Sequence, residues 1–176
     1  MDYGITYSTG DYIYGYSDVD WAQCIDDRKS IYSYCFIYGG ELISWSSKKQ
    51  SSVSSSSTEP EYKAYYFATC ETLWLIQLMR DLLNPLHQSI TIFTNSQSAI
   101  ALAKYPIYHT KAKHIDIAYH FRREQVNLGI MWLKYCQSKD NLANMFTKAL
   151  NGKQLLKACQ YIGIGPSSNC TWKGGC

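Results

Sequence analysis

Tyr12, Tyr14 and Tyr16 alternate with Ile13, Gly15 and Ser17 near the start of the chain. A period of two in aromatic and β-branched residues predicts a strand over residues 11–18, ending at Asp18. Residues 1–10 alternate in the same way at Tyr3, Ile5 and Tyr7 before breaking at Ser8-Thr9-Gly10. They are expected to be a short strand and turn, the remnant of a region upstream. Residues 31–38 (IYSYCFIY) form a second predicted strand, and residues 41–47 a third, joined through Gly39-Gly40. A Gly-Gly link between two such runs is a hairpin signal, so the three strands are expected to make an antiparallel meander.

From Thr58 the period lengthens. Tyr62, Tyr65, Ala68, Leu75, Ile76, Met79 and Leu82 recur at helical spacing, with Lys63, Glu71, Gln77, Arg80 and Asp81 between them. This is an amphipathic helix. Thr58 and Glu61 have the spacing of a capping box, Pro60 falls in the first turn where a missing amide hydrogen costs nothing, and Asn84-Pro85 ends the helix. Residues 89–94 read as a fourth strand, leading through Asn95-Ser96-Gln97-Ser98 into a short helix. Residues 113–126 read as a further helix and 130–136 as a fifth strand. Ser138-Lys139-Asp140-Asn141 is expected to cap a last helix over 142–150 that Asn151-Gly152 closes, with 155–162 adding a turn or two. The order of strands and helices is that of an α/β domain. The expected organisation is a remnant over 1–10, a domain over 11–160 and a disordered tail over 161–176.

Composition narrows the class. A length of 176 residues fits one domain with a sizeable core, and a net charge of +3 permits nucleic acid as a partner without arguing for it. Seven cysteines, odd in number and with no C-x-x-C pair, point to free thiols in a reducing compartment rather than a disulfide frame or zinc site. No apolar run approaches the roughly 20 residues of a membrane span, and the N-terminus lacks a basic-then-apolar signal. An intracellular protein with no membrane partner is expected, and Asn169-Cys170-Thr171 is read as a chance sequon.

Four polar residues fall at strand ends or in the first turns of helices: Asp18, Glu61, Asn95 and Asn144. Each has an ordinary reading. Asp18 and Asp20 open a turn, Glu61 completes a capping box, and Asn95 and Asn144 cap helices. The other reading of Asp18 is a carboxylate shown at the rim of a sheet, where metal and phosphate chemistry is done. Asp140 reads as a first-turn charge favoured by the helix dipole, and His114 and His120 as packing or surface residues.

Five blocks in order carry a resemblance: residues 15–22 (GYSDVDWA), 56–62 (SSTEPEY), 95–104 (NSQSAIALAK), 113–117 (KHIDI) and 142–150 (LANMFTKAL). Together they resemble the ribonuclease H domain of copia-type retrotransposon Pol polyproteins, over about residues 1–160. The resemblance implies a mixed five-stranded sheet flanked by helices and cleavage of the RNA strand of an RNA/DNA hybrid. It also implies a site in which four carboxylates hold two Mg²⁺ ions, Mn²⁺ being the possible substitute. Asp18 matches the first of these carboxylates and Glu61 the second, and these two are the metal ligands expected here. The third and fourth fall on Asn95 and Asn144, where the family has Asp. Each such change removes a unit charge beside a divalent cation, and one unit pair at about 4 Å is worth roughly 4 kcal/mol at an effective dielectric near 20. A folded domain with its nuclease activity lost or impaired is therefore expected. The alternatives are a residual Mn²⁺-dependent nuclease and a module that binds nucleic acid or reverse transcriptase without chemistry. Arg28, Lys29, Lys48, Lys49, Lys111, Lys113, Arg122 and Arg123 are the candidates for holding the hybrid. The other expected partner is the reverse transcriptase region of the same polyprotein, in the cytoplasm, within a virus-like particle, or in the nucleus.

Overall fold

A computed structural model describes residues 3–5, 10, 12–21, 28–50, 58–83, 89–104, 121 and 124–166. Its centre is a five-stranded sheet of order β4-β3-β2-β5-β6. In sequence these are β2 (Ile13–Asp20), β3 (Ile31–Tyr38), β4 (Glu41–Lys49), β5 (Ile90–Thr94) and β6 (Met131–Tyr135). The first three form the expected antiparallel meander. The Gly39-Gly40 turn between β3 and β4 places both glycines at positive φ, 61° and 91°, where a side chain would be strained. β5 then joins β2 in parallel and β6 joins β5 in parallel, so the sheet is mixed as expected.

Both faces are covered. On one lies α1 (Thr58–Leu83), which presents Tyr65, Ala68, Leu75 and Met79 to Ile13, Phe36, Ile90 and Ile92 of the sheet. The short α2 (Gln97–Lys104) adds Ala103 to the same core. Gly15 belongs to this face because the Phe36 ring lies over it: a Cβ there would meet that ring at 2.6 Å. The opposite face buries Cys35, Ile37 and Leu42 with Ala143 and Ile162, the residues just before α4 (Asn144–Thr147) and just after α5 (Gly152–Tyr161). β3 is thus buried on both sides, which is why its residues, apart from Ser33, are apolar or aromatic instead of alternating with polar ones. Residues 124–127 are helical (α3); the remainder of the helix expected over 113–126 lies outside the described residues, apart from the helical residue 121.

Four expectations need correction. β2 does not stop at Asp18 but runs to Asp20, because β3 continues to pair with it as far as Asp20↔Ile31. The last predicted helix, over 142–150, is broken. A 3₁₀ turn (Ser138–Asp140) precedes it, α4 spans only Asn144–Thr147, and Lys148 leaves it in an extended conformation, φ −141° and ψ 155°. Asn151-Gly152 opens a helix instead of closing one. Asn151 Oδ1 accepts from Gln154 N at 2.9 Å and Gln154 Oε1 accepts from Asn151 N at 3.3 Å, a capping box that outweighs the C-terminal tendency of Asn-Gly. Finally, the chain beyond α5 is ordered at Ile164–Pro166 (β7), which pairs antiparallel with β1 (Tyr3–Ile5). Ile5 and Ile164 pack against the second core cluster, so burial of these two side chains offsets the turn-prone glycines around them.

Candidate active site

The parallel pair β2 and β5 is hydrogen-bonded only up to Ser17↔Thr94. Beyond that register β5 ends and Asn95 leads the chain towards α2, while β2 continues along β3. Asp18 and Asn95 are the first residues beyond the last paired register of the two strands, at their carboxyl ends. A split of this kind at the ends of parallel strands is where open α/β sheets bind ligands. α1 starts beside it, and Glu61 in its first turn lies close enough to Asp18 to feel its charge.

The segment after β6 closes the other side. Asn141 Nδ2 donates to the Ser17 carbonyl at 3.0 Å, and Asn141 Oδ1 accepts from Ala143 N at 3.0 Å. One side chain thereby anchors the segment to the end of β2 and starts the turn into α4. Thr147 Oγ1 donates to Asp18 Oδ2 at 2.6 Å. Ser138 joins the two amides: Asn95 Nδ2 donates to its Oγ at 3.0 Å, and Asn144 Nδ2 donates to its carbonyl. The expected positions are thus linked in a chain: Glu61 to Asp18 through charge, Asp18 to Asn144 through Thr147, and Asn144 to Asn95 through Ser138.

Burial sets the electrostatics. Asp18 is 1% exposed, and burial raises its pKa, opposed by the Thr147 hydrogen bond and the Lys148 ammonium. Burial pushes Glu61 up to about 8, Asp18 adding to the rise and Lys148 opposing it. Burial likewise raises Asp20, again opposed by Lys148. Four buried oxygens here lack a hydrogen-bond donor: Asp18 Oδ1, Asp20 Oδ2, Asn95 Oδ1 and Asn144 Oδ1. Buried acceptors without donors are costly, and a cation relieves that cost as well as a proton does.

These are hard oxygen donors of the kind that suit Mg²⁺ or Mn²⁺. Among the described residues, however, no three His, Cys, Asp or Glu side chains gather as a cation cage. The residues fit one hard divalent cation held by Asp18 and Glu61, with amide oxygens as neutral ligands. A pair of such ions would bring four positive charges against the three carboxylates Asp18, Asp20 and Glu61.

Ser138, Asn141, Thr147 and Lys148 were not singled out by sequence reasoning as site residues. The signal for Thr147 was its i, i+3 spacing from Asn144, which puts both on one helical face. Ser138 and Asn141 carried none beyond capping chemistry. Replacing Thr147 with Val is expected to leave Asp18 without its donor and to cost about 2 kcal/mol, about 5 °C in Tm, read by urea and thermal unfolding.

The sheet register places a basic rim next to this opening. Asp20 pairs with Ile31 and Ile31 with Lys49; Val19 pairs with Tyr32 and Tyr32 with Lys48. Lys48 and Lys49 thus stand in the same rows as the end of β2, two strands or about 10 Å away. Arg28 and Lys29 enter β3 at the same edge. Lys111, Lys113, His114, His120, Arg122 and Arg123 lie outside the described residues.

No family model matches the chain. It is 41% identical over 156 residues to the retrovirus-related Pol polyprotein from transposon TNT 1-94 of Nicotiana tabacum, covering 88% of this chain and 11% of that protein. It is 35% identical over 165 residues to the Pol polyprotein from transposon RE2 of Arabidopsis thaliana, covering 93% and 11%. Among solved structures, LC11-RNase H1 in complex with RNA/DNA hybrid superposes with a TM-score of 0.56 at 14% identity, covering 81% of this chain and 99% of that one. RNase H1 from Halobacterium salinarum gives 0.52 at 13% identity, covering 77% and 93%. The chain spans about a tenth of the length of the curated relatives it matches.

The fold is ribonuclease H-like. The sequence is similar, over about nine-tenths of its length, to a segment of copia-type retrotransposon Pol polyproteins.

Proposed function

We propose that this ribonuclease H-like domain binds RNA/DNA hybrid along its basic rim and cuts it slowly or not at all. The carrying observation is that the two remaining carboxylates, Asp18 and Glu61, meet two amides, Asn95 and Asn144, at the strand split. A bound divalent cation supplies activation of water and stabilisation of the leaving oxygen at such sites. Asp18 holds a ligating oxygen, Oδ1, in place because Thr147 fixes its other oxygen. Glu61 closes the site from the α1 side, and because burial pushes its pKa up to about 8, a cation there would favour its ionised form at neutral pH. Lys148 lowers the pKa of all three nearby acids and so supplies part of the missing positive charge. Arg28, Lys48 and Lys49 hold phosphates of the hybrid. The reverse transcriptase region of the same polyprotein is the expected partner within one chain, since the matched relatives extend far beyond this segment.

A gel shift with an RNA/DNA hybrid tests the binding half. Neutralising about three phosphates gives a salt slope near −2.7, so affinity is expected to fall about 40-fold between about 50 and 200 mM salt. Loss of Lys48 and Lys49 together lowers that slope by about 2. A hybrid affinity indifferent to salt, or unchanged in the double variant, rules the rim out as the binding surface. Cleavage assays with Mg²⁺ and with Mn²⁺ test the other half: rapid cutting under Mg²⁺ rejects the impaired site, while cutting under Mn²⁺ alone supports a residual nuclease.

A further inference from the structure

We infer that the cleft between β2, the 3₁₀ turn and α5, on the flank of the strand split, is a second nucleotide subsite that takes one unpaired nucleotide of a single strand. It has a volume of about 660 Å³ and is open along one side. That is ample for a nucleotide, since pockets for compact organic ligands run from about 300 to 1,000 Å³.

The wall chemistry selects the ligand class. Tyr14 and Tyr16 form the floor, with ring centroids 6.0 Å apart in an edge arrangement, and Phe93 stacks beneath Tyr16 at 5.3 Å. These rings are half-buried and held by one another, so they form a preset apolar surface. Tyr161 stands on the opposite wall, 58% exposed, with the Lys157 ammonium 5.7 Å from its ring centroid. A flat aromatic base fits between such walls, because stacking needs a π-face and little else. Lys139, Lys148 and Lys157 line the cleft against one carboxylate, Asp140. An excess of ammonium groups around an aromatic slot selects a phosphate attached to a base over a neutral aromatic ligand.

Location argues for an unpaired nucleotide. The cleft reaches the site through Asn144, which lines it and also borders the strand split. α5 and the 3₁₀ turn wall it on two sides, so a duplex, much wider than a slot for one base, does not enter while a single strand running off the hybrid does. The inference extends the hybrid-binding reading to a place that reading does not use.

The test is fluorescence anisotropy of the full chain with labelled hexathymidylate, competed by thymidine 5′-monophosphate, thymidine and inorganic phosphate. Saturable binding is expected, with the monophosphate competing about ten-fold better than either thymidine or phosphate alone. Lys157→Ala and Tyr161→Ala, both at exposed α5 positions, are each expected to weaken hexathymidylate about five-fold or more while changing hybrid affinity less than about two-fold. Thermal melts confirm that both variants fold. No saturable binding, equal competition by phosphate and monophosphate, or unaltered affinity in both variants overturns the subsite. Single-strand binding that persists where the hybrid fails to bind leaves the subsite standing and rejects the hybrid reading, so the two failures are distinguishable.

Discussion

Replacing Asn95 and Asn144 together with Asp is expected to raise Mg²⁺-dependent cleavage of an RNA/DNA hybrid by about three decades or more over the parent chain. Each substitution returns a unit charge to the strand split, and one charge at about 4 Å from another is worth roughly 4 kcal/mol at an effective dielectric near 20. A factor of ten in rate takes about 1.4 kcal/mol, so even after relaxation consumes half the gain the increase is large. The hydrogen bonds predict that the two positions respond differently. Asn95 donates to the Ser138 hydroxyl, which can rotate and donate back to a carboxylate. Asn144 donates to the Ser138 carbonyl, which a carboxylate repels, so Asn144→Asp forces the 3₁₀ turn to shift. Asn95→Asp alone should therefore be tolerated better in metal-free buffer. The double variant should melt below the parent without Mg²⁺ and recover with it, since four acids then share one buried opening. Equal hybrid cleavage by parent and double variant, measured side by side with saturating Mg²⁺, sinks the idea that the amides disable the site.

The parts of the fold legible in the sequence were those where one physical signal acted alone. The β3–β4 hairpin follows from Gly39-Gly40 between two β-branched and aromatic runs, and its observed strands begin where the pattern begins. α1 opens at Thr58 and ends before Asn84-Pro85, as its periodicity and proline require. Errors arose where two signals competed. Asn151-Gly152 carries both a helix-stop dipeptide and, with Gln154, a helix-start box, and the reciprocal hydrogen bonds of the box decide between them. Ile162 and Ile164 sit among glycines, and their short alternation shows its purpose only once β1 is beside them. The site divides in the same way. Asp18, Glu61, Asn95 and Asn144 were visible as polar residues at element ends and gained a shared meaning from the resemblance. Thr147 and Ser138 act through hydrogen bonds to partners 129 and 43 residues away, and no local pattern encodes a contact across such a separation.

In metal-free buffer the domain is expected to lose stability as pH rises from about 5 to about 8.5, opposite to the usual acid-side loss of a protein whose carboxylates are ion-paired. Glu61 is the main cause. Its pKa goes from 4.5 to about 8 in the folded chain, chiefly through burial and secondarily through Asp18. Between those values the folded state holds a proton that the unfolded state has released, so unfolding is favoured by each further rise in pH. The contribution is fully present below about 4.5 and is gone above about 8. A shift of that size caps the loss at about 5 kcal/mol, and partial solvent access near the strand split brings the expected value nearer 3 kcal/mol. Asp18 and Asp20, also raised by burial, act in the same direction, while Lys148 tempers all three. Urea unfolding in EDTA at about pH 5.5 and 8.5 measures the slope, and Glu61→Gln should flatten it and make the alkaline form more stable than the parent. Adding Mg²⁺ at the higher pH should restore part of the parent's loss and leave Glu61→Gln nearly unmoved. A parent that gains stability over this interval, or a Glu61→Gln variant with the parent's slope, shows instead that Glu61 is solvated and ionised without a cation. The strand split would then be an open surface, not a buried site in want of positive charge.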